Sequence, residues 1–213
     1  MSSLEGAINN RRSVRRFTAE VVDRKDIEKM LAAAIRAPSG GNRQPWRFVV
    51  VSNKNVLASL RDVIIKGIEA LPGILAGVDA NRIMMLQNRY RTYSLFFADA
   101  PVAIFAFCDS GGSAIMEAFR LQRWSPADVE RESGYVGVQS VAAAIENLLL
   151  MAHELGYGAC WMNPAFFARE EISRMLEMPS PLRPIAIIPV GKPAELPAPS
   201  QRKPLDHVTK FID

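Results

Sequence analysis

The amino-acid sequence predicts a mixed fold of the α/β or α+β class, because helical and extended patterns alternate along its whole length. Apolar residues recur at helical spacing over four stretches, at 26–36, 55–69, 136–155 and 168–176. Runs rich in β-branched and small apolar residues lie between them, at 46–52, 101–108, 158–162 and 184–190. With 213 residues and 49% hydrophobic content, the chain is long enough for one well-developed core. We therefore expect residues 1–213 to form a single domain.

The first helix and the first strand follow directly from their residue patterns. Within 26–36, Ile27 and Met30 share one face with other apolar residues, while charged residues occupy the opposite face. Pro38 ends the helix, because proline cannot donate a backbone hydrogen bond and restricts the residue before it. The run 46–52 is β-branched and aromatic, which predicts a strand.

The middle of the chain is less regular. Residues 82–97 mix basic and aromatic side chains, and the apolar run 101–108 predicts a central strand. Residues 109–132 contain Gly111, Gly112 and Pro126, which predict a loop with irregular helix. Three aromatic residues fit either the wall of a pocket or the core, namely Phe96, Phe97 and Trp124.

The longest predicted helix, 136–155, has an unusually narrow polar face. Gln139, Glu146 and His153 recur every seven residues, and almost everything between them is apolar. Such a helix is expected to be buried over most of its circumference, deeper than a surface helix of a monomer this size. A subunit interface would explain that burial.

The C-terminal segment is punctuated by prolines and cannot fold back as a helix. After Gly191 they stand at Pro193, Pro197, Pro199 and Pro204. We expect this tail to run extended along a surface.

The composition and charge exclude few classes of function but favour some over others. A formal net charge of +4 and an isoelectric point near 9.3 suggest a polyanion partner, but the charge is modest and mostly dispersed. We therefore expect no nucleic-acid binding. No apolar core of a signal peptide begins the chain, and no stretch of about 18 uncharged apolar residues suggests a bilayer span. The expected location is cytoplasmic, with no membrane partner.

Motifs for metal binding or nucleophilic catalysis are not evident in the sequence. Cys108 and Cys160 lie in separate apolar runs and are expected to be small buried residues. His153 and His207 lack companion ligands, so no metal site is expected. The Gly156-Tyr157-Gly158 sequence opens a strand and lacks the third glycine of a dinucleotide motif. Few acid and base groups stand at a recognisable catalytic spacing, which fits an enzyme whose cofactor performs the chemistry.

The most informative segment is an arginine cluster near the N-terminus, in the order Arg11, Arg12, Ser13, Val14, Arg15. In an extended segment, Arg11, Ser13 and Arg15 would converge on one side, with Arg12 and Val14 on the other. Guanidinium groups and a hydroxyl suit a phosphate monoester, which accepts hydrogen bonds from several directions. A solvated basic arm is the alternative interpretation.

A turn between the first helix and the first strand forms the second informative segment, residues 38–45. Its glycines would let backbone amides approach a flat ligand, and the carboxamides of Asn42 and Gln44 supply donors and acceptors. An ordinary connection between a helix and a strand remains the alternative, with Trp46 as a plain core residue.

The two segments together resemble the signature of the FMN-dependent nitroreductase family. The resemblance implies an α+β fold, an α/β sandwich with a mainly antiparallel sheet flanked by helices, in an interlocked homodimer. Each of two equivalent FMN sites would be built from both subunits. The residues that carry the resemblance are Arg11 to Arg15, Ala37, Pro38, Ser39, Gly40, Gly41, Asn42, Arg43, Gln44, Pro45 and Trp46.

The resemblance also implies roles for particular residues. Arg11, Arg12, Ser13 and Arg15 would hold the phosphate and ribityl chain of FMN, and Arg202 or Lys203 would close that site from the tail. The flavin ring would be lined, from the partner chain, by Pro38, Ser39, Gly40 and Asn42, with Gln44 supporting the turn. Backbone groups would face the N5 and O4 edge of the flavin from Trp161, Met162 and Asn163.

The activity implied by the resemblance is a ping-pong reduction. NADH or NADPH would donate hydride to the flavin and leave, and a nitroaromatic, quinone or other conjugated acceptor would take its place. No residue is assigned a catalytic role. Two alternatives remain open: a specialised flavin enzyme of the same fold, for reductive dehalogenation or flavin fragmentation, and a flavin- or polyanion-binding module without turnover. Tyr90 and Tyr93 lie in 82–97, without a clear match to the acidic, tyrosine and lysine lid of the dehalogenating relatives.

Overall fold

The architecture is a central antiparallel sheet with helices on both of its faces. The structure is a computed structural model, and it describes residues 3–109, 118, 121–122, 124–178 and 180–212. The sheet has four strands in the order β1-β2-β4-β3, and every neighbouring pair is antiparallel. The strands are β1 (Trp46–Val51), β2 (Val102–Asp109), β3 (Gly158–Ala159) and β4 (Leu182–Gly191). This arrangement confirms the predicted α+β class.

The helices are distributed along the chain between the strands. They are α1 (Leu4–Asn10), α2 (Arg24–Ala34), α3 (Lys54–Glu69), α4 (Leu71–Ile74), α5 (Ala80–Ser94), α6 (Pro126–Glu132), α7 (Val136–Glu154) and α8 (Arg169–Met175). Short 3-10 turns lie at Gly40–Asn42, Phe96–Ala98, Pro164–Phe167 and Leu205–His207.

Strand β2 divides the core into two layers, because successive side chains of a strand point to opposite faces of the sheet. Ile104 and Ala106 face the cluster that contains the buried sides of α2 and α7. Phe105 and Phe107 face the cluster built with α3 and the turn Pro164–Phe167. All of β2 up to Cys108 is buried, as expected of a central strand. The fold therefore has three layers, with the sheet between two layers of helices.

Three elements differ from the sequence prediction. Helix α1 was not predicted; its N-cap Ser3 accepts a hydrogen bond from the Gly6 amide at 3.0 Å. The mixed stretch 82–97 contains most of a continuous helix, α5. The strand predicted over 158–162 is wrong in its second half, since β3 ends at Ala159 and only Met162 pairs again with β4.

Helix α7 is less buried within one chain than its narrow polar face predicts. It packs on α2 and the sheet, and Asn147 donates a hydrogen bond to the Ala33 carbonyl at 3.2 Å. By length and a mean hydropathy of 1.3, α7 could cross a membrane, although it carries Glu146 and 39% of its apolar window is buried inside the chain. The remaining face is half-exposed, so the chain by itself covers only one side of this helix.

The C-terminal tail leaves the body of the chain soon after β4. The Ala194 amide bonds the Arg16 carbonyl at 3.0 Å, and Glu195 pairs with the Arg16 side chain at 3.5 Å. From residue 198 onward every described residue is exposed. The expected surface for this tail is therefore not provided by the same chain. His207 is exposed there, and Cys108 and Cys160 are buried as predicted.

A close contact between α3 and the turn Pro164–Phe167 yields a stability prediction. A Cβ atom on Gly67 would lie 2.1 Å from the Phe167 carbonyl oxygen, whereas a Cβ atom on Gly73 would meet nothing within 4 Å. We expect Gly67→Ala to destabilise the protein by about 1–3 kcal/mol through overpacking. Gly73→Ala, the control, is expected to be neutral or stabilising by up to about 1 kcal/mol. Urea unfolding measures both, and equal stability of the two variants would contradict the contact.

Candidate functional site

The arginine segment is held against the edge of the sheet by Val14. The Val14 amide donates a hydrogen bond to the Ala159 carbonyl at 3.0 Å, and the Val14 side chain is only 3% exposed. A Cβ atom on Gly158 would lie 2.7 Å from the Val14 Cβ, so glycine is needed for this approach. The segment is therefore fixed to β3 and does not form a free basic arm.

Two of the predicted phosphate residues, Ser13 and Arg15, extend on the side of the segment opposite the buried Val14. Arg15 and Cys160 line a common cleft. Burial raises the pKa of the Cys160 thiol, while the charge of Arg15, a hydrogen bond with Ser13 and the charge of Arg11 lower it. Arg12 turns away, because its Nη1 donates to the carbonyls of Asn9 at 2.7 Å and Arg11 at 2.9 Å.

Arg15 and Arg11 differ in how their charge is balanced. The Arg11 Nε lies 3.2 Å from the Glu146 Oε1, an ion pair without hydrogen-bond geometry that links the segment to α7. The Arg15 guanidinium donates to the Ser13 carbonyl at 3.2 Å, and no carboxylate of the described residues pairs with it. The positive charge of Arg15 is therefore left for a ligand.

A cleft of about 740 Å³ opens beside Arg15 and extends toward α5. Its volume lies within the roughly 300–1,000 Å³ typical of small-ligand sites. Two arginines and several aromatic side chains line it, and no carboxylate of the described residues does. The lining residues are Arg15, Arg89, Tyr90, Tyr93, Ser94, Phe96, Cys160, Trp161, Met162, Asn163, Pro164 and Phe166.

The segment 161–163 enters this cleft, but its three residues serve different purposes. Met162 exchanges backbone hydrogen bonds with Ile187, at 3.0 Å and 2.9 Å, and its side chain is buried in the core. Its backbone groups are thus engaged in the sheet, and the orientation of residues 161–163 toward a flavin stays a prediction. Trp161 is 40% exposed, and it and Asn163 remain available at the cleft.

The turn 38–45 is internally bonded. The Ser39 Oγ accepts from the Gln44 amide at 3.0 Å, and the Gln44 Nε2 donates to the Asn42 Oδ1 at 3.2 Å. Asn42 and Gln44 adopt left-handed backbone conformations, with φ near 54° and 50°. A Cβ atom on Gly40 would lie 2.8 Å from Val136, so this glycine is required by packing on α7.

One chain does not bring all of the predicted residues together. In the described part of the chain, none of Pro38, Ser39, Gly40, Asn42 and Gln44 lines the cleft. Arg202 and Lys203 are exposed on the tail, where Arg202 bonds only Ser200 and Gln201. Within the described part of a single chain, neither the turn nor Arg202 and Lys203 lines the cleft that holds Arg15.

Sequence analysis missed the wall of the cleft that α5 supplies. Arg89 and Tyr93 are four residues apart and share a face of the helix, a spacing that becomes informative once 80–94 is known to be helical. Of the aromatic candidates, Phe96 lines the cleft and Phe97 is fully buried in the core. Trp124 is outside the cleft lining. Among the described residues, no group of three His, Cys, Asp or Glu could hold a metal ion.

Comparison with known proteins identifies the family. The profile described as the nitroreductase family matches residues 8–192, so the chain belongs to the nitroreductase family. The predicted family is thereby confirmed.

The similar proteins cover several flavin chemistries. A protein of Methanothermobacter thermautotrophicus, whose name proposes an NADH dehydrogenase or NAD(P)H nitroreductase, is 31% identical over 90% of this chain and 78% of its own length. An iodotyrosine deiodinase of Haliscomenobacter hydrossis is 29% identical over 88% and 78%. The crystal structure of a BluB-like flavoprotein from Clostridium difficile 630 superposes with a TM-score of 0.87 at 31% identity, covering 100% of both chains.

Proposed function

We propose that this protein is an FMN-dependent NAD(P)H oxidoreductase that reduces nitroaromatic, quinone or similar conjugated acceptors. The observation that carries the proposal is the Arg15 guanidinium, which lines an aromatic cleft without a carboxylate partner among the described residues, in a chain of the nitroreductase family. A cytoplasmic location, where NADH and NADPH are available, fits this activity. Residues 1–213 are proposed to form one FMN-binding domain.

The chemistry of the arginine end fits the phosphate of FMN. A phosphate monoester carries close to two negative charges, and Arg15 offers a guanidinium with no carboxylate partner among the described residues. The Ser13 hydroxyl beside it adds a neutral donor. Arg11 pairs with Glu146 of α7, so the position of its guanidinium would depend on the position of that helix.

The aromatic end of the cleft fits the flavin ring and a stacked substrate. FMN, when bound, would supply the redox chemistry, taking electrons from NADH or NADPH and giving them to the acceptor in a ping-pong sequence. Trp161 and Tyr93 would cover part of the cleft, and Arg15 would offset negative charge on the bound cofactor. No acid or base side chain of this chain is required for hydride transfer.

A homodimer completes the proposed site. The turn 38–45 and the tail residues Arg202 and Lys203 would reach the cleft from the partner chain, which explains their separation from it here. The half-exposed face of α7 provides the matching contact surface. An apolar groove of about 480 Å³ lies along it, lined in part by Leu4, Ala7 and Leu150.

A second candidate is reductive dehalogenation of a halogenated tyrosine, favoured by the similarity to an iodotyrosine deiodinase. The two tyrosines of the α5 wall would suit a phenolic substrate. The described lining contains neither a carboxylate nor a lysine, which leaves the ammonium group of an amino acid without a partner. The general reductase is therefore the preferred proposal.

The direct test is spectroscopic. The purified protein, reconstituted with FMN and freed of excess flavin, is expected to be yellow and to bleach when NADH or NADPH is added without oxygen. Colour should return on addition of a quinone or nitroaromatic compound. A yellow protein that neither nucleotide bleaches would contradict the reductase. Release of iodide from 3-iodotyrosine by the dithionite-reduced protein would support the second candidate instead.

Removal of the Arg15 guanidinium is expected to weaken FMN binding. A charge-assisted hydrogen bond contributes roughly 1.5–3 kcal/mol, so Arg15→Ala should raise the Kd for FMN by about 10- to 150-fold. Arg16→Ala is the matched control, because Arg16 is exposed and pairs with Glu195 outside the cleft. Quenching of FMN fluorescence measures both, and equal affinities of the two variants would remove Arg15 from the site.

The subunit interface is tested by a charge in the α7 groove. Leu150→Glu is expected to shift a dimer toward monomer and to lower the FMN content, because an unpaired carboxylate is costly to bury. Ile74→Glu, on the exposed surface of α4, is the control and should leave both unchanged. Light scattering after gel filtration gives the masses. A wild-type protein that is monomeric with FMN bound would refute the shared site.

A further inference from the structure

The α5 wall of the cleft carries a cation that the proposed phosphate site does not use. Arg89 and Tyr93 stand one helical turn apart and both line the cleft. Arg15 reaches the cleft from the N-terminal segment at the sheet edge, whereas Arg89 reaches it from α5. The two arginines of the cleft therefore come from different elements of the fold.

The charge of Arg89 is not balanced by its own chain. Arg91, two residues further along α5, pairs with Glu69 at 3.0 Å. No carboxylate of the described residues pairs with Arg89, and none lines the cleft. Arg89 is exposed where it lines the cleft, and an unpaired guanidinium there can form charge-assisted hydrogen bonds with an anionic ligand.

The walls next to Arg89 favour a flat ligand. Tyr90 packs edge-on against Phe167 at a centroid distance of 4.8 Å and against Phe166 at 6.0 Å. Phe166, which this contact supports, is 41% exposed and lines the cleft, as does Trp161. Aromatic walls of this kind stabilise a stacked ring, and the cation nearby selects what the ring carries.

We propose that the acceptor site selects aromatic compounds bearing a carboxylate, with Arg89 as the residue that binds the carboxylate and Tyr93 beside it. This inference rests on the proposed function, since it names the substrate class of the same cleft. A planar guanidinium and a carboxylate form two parallel hydrogen bonds, which an uncharged substituent of the same shape cannot reproduce. Arg89 thus determines specificity and takes no part in electron transfer.

The test compares two ligands of nearly equal shape, 4-nitrobenzoate and 4-nitrobenzamide. Each is titrated into oxidised, FMN-loaded protein, and binding is followed by the change in flavin absorbance, so no turnover is needed. We expect wild type to bind 4-nitrobenzoate about tenfold or more tightly than 4-nitrobenzamide, with a preference that falls as salt rises. Arg89→Gln should abolish the preference while changing the affinity for 4-nitrobenzamide by less than about twofold.

Further variants separate this role from others. Arg91→Gln, on the same helix but paired with Glu69, should keep the full preference, and Arg89→Lys should keep part of it. Equal binding of the two ligands by wild type, or an undiminished preference in Arg89→Gln, would overturn the inference. It is also overturned if Arg89→Gln loses FMN, or if its KM for NADH or NADPH rises with a neutral quinone as acceptor.

Failure of the proposed reductase function and failure of the proposed role of Arg89 give different results. A protein that shows the carboxylate preference but is not bleached by NADH or NADPH would keep Arg89 as an anion-binding residue and refute the reductase. A protein that is bleached and reoxidised, but that treats both nitro compounds alike, would keep the reductase and refute the role of Arg89. Failure to retain FMN would refute both.

Discussion

The contact between Val14 and the sheet edge at Gly158 is the constraint on which the candidate site depends. The Val14 side chain fills the space that a side chain at position 158 would occupy. The hydrogen bond to Ala159 fixes the extended conformation of the arginine segment. Because side chains alternate along an extended segment, burying Val14 leaves Ser13 and Arg15 on the opposite side, beside Cys160. The site is therefore a consequence of packing a valine.

The early end of β3 has a comparable effect on the other side of the cleft. A strand continuing to Met162 would present a regular edge, whereas here the chain leaves the sheet at Cys160 and returns for a single pair with Ile187. The interruption leaves Trp161 partly exposed at the cleft while Met162 anchors the segment in the core. The same irregularity therefore gives both a buried anchor, Met162, and an accessible aromatic residue, Trp161.

The two faces of the sheet differ in how fully this chain covers them. The α3 side of the sheet is closed by α5, α8 and the turn Pro164–Phe167, and its cluster includes fully buried aromatic residues. On the other side, α7 keeps a half-exposed apolar face, and the tail extends without packing on its own chain. Helix α5 packs on the closed side and also lines the cleft, so it links the two.

The sequence by itself determined the class of fold, the main helices and strands, the buried cysteines and the family, and it predicted Val14 on the side opposite Ser13 and Arg15. These follow from local patterns: helical and strand periodicity, and the alternation of residues around Val14. The tertiary structure decided that the Arg12 side chain bonds back to α1 and that the Met162 backbone pairs with β4. It also decided that Val136 leaves no room for a side chain at Gly40. It also decided that Arg89 and Tyr93 face the cleft. These features depend on which distant segments come into contact, and residue spacing along the chain does not predict those contacts.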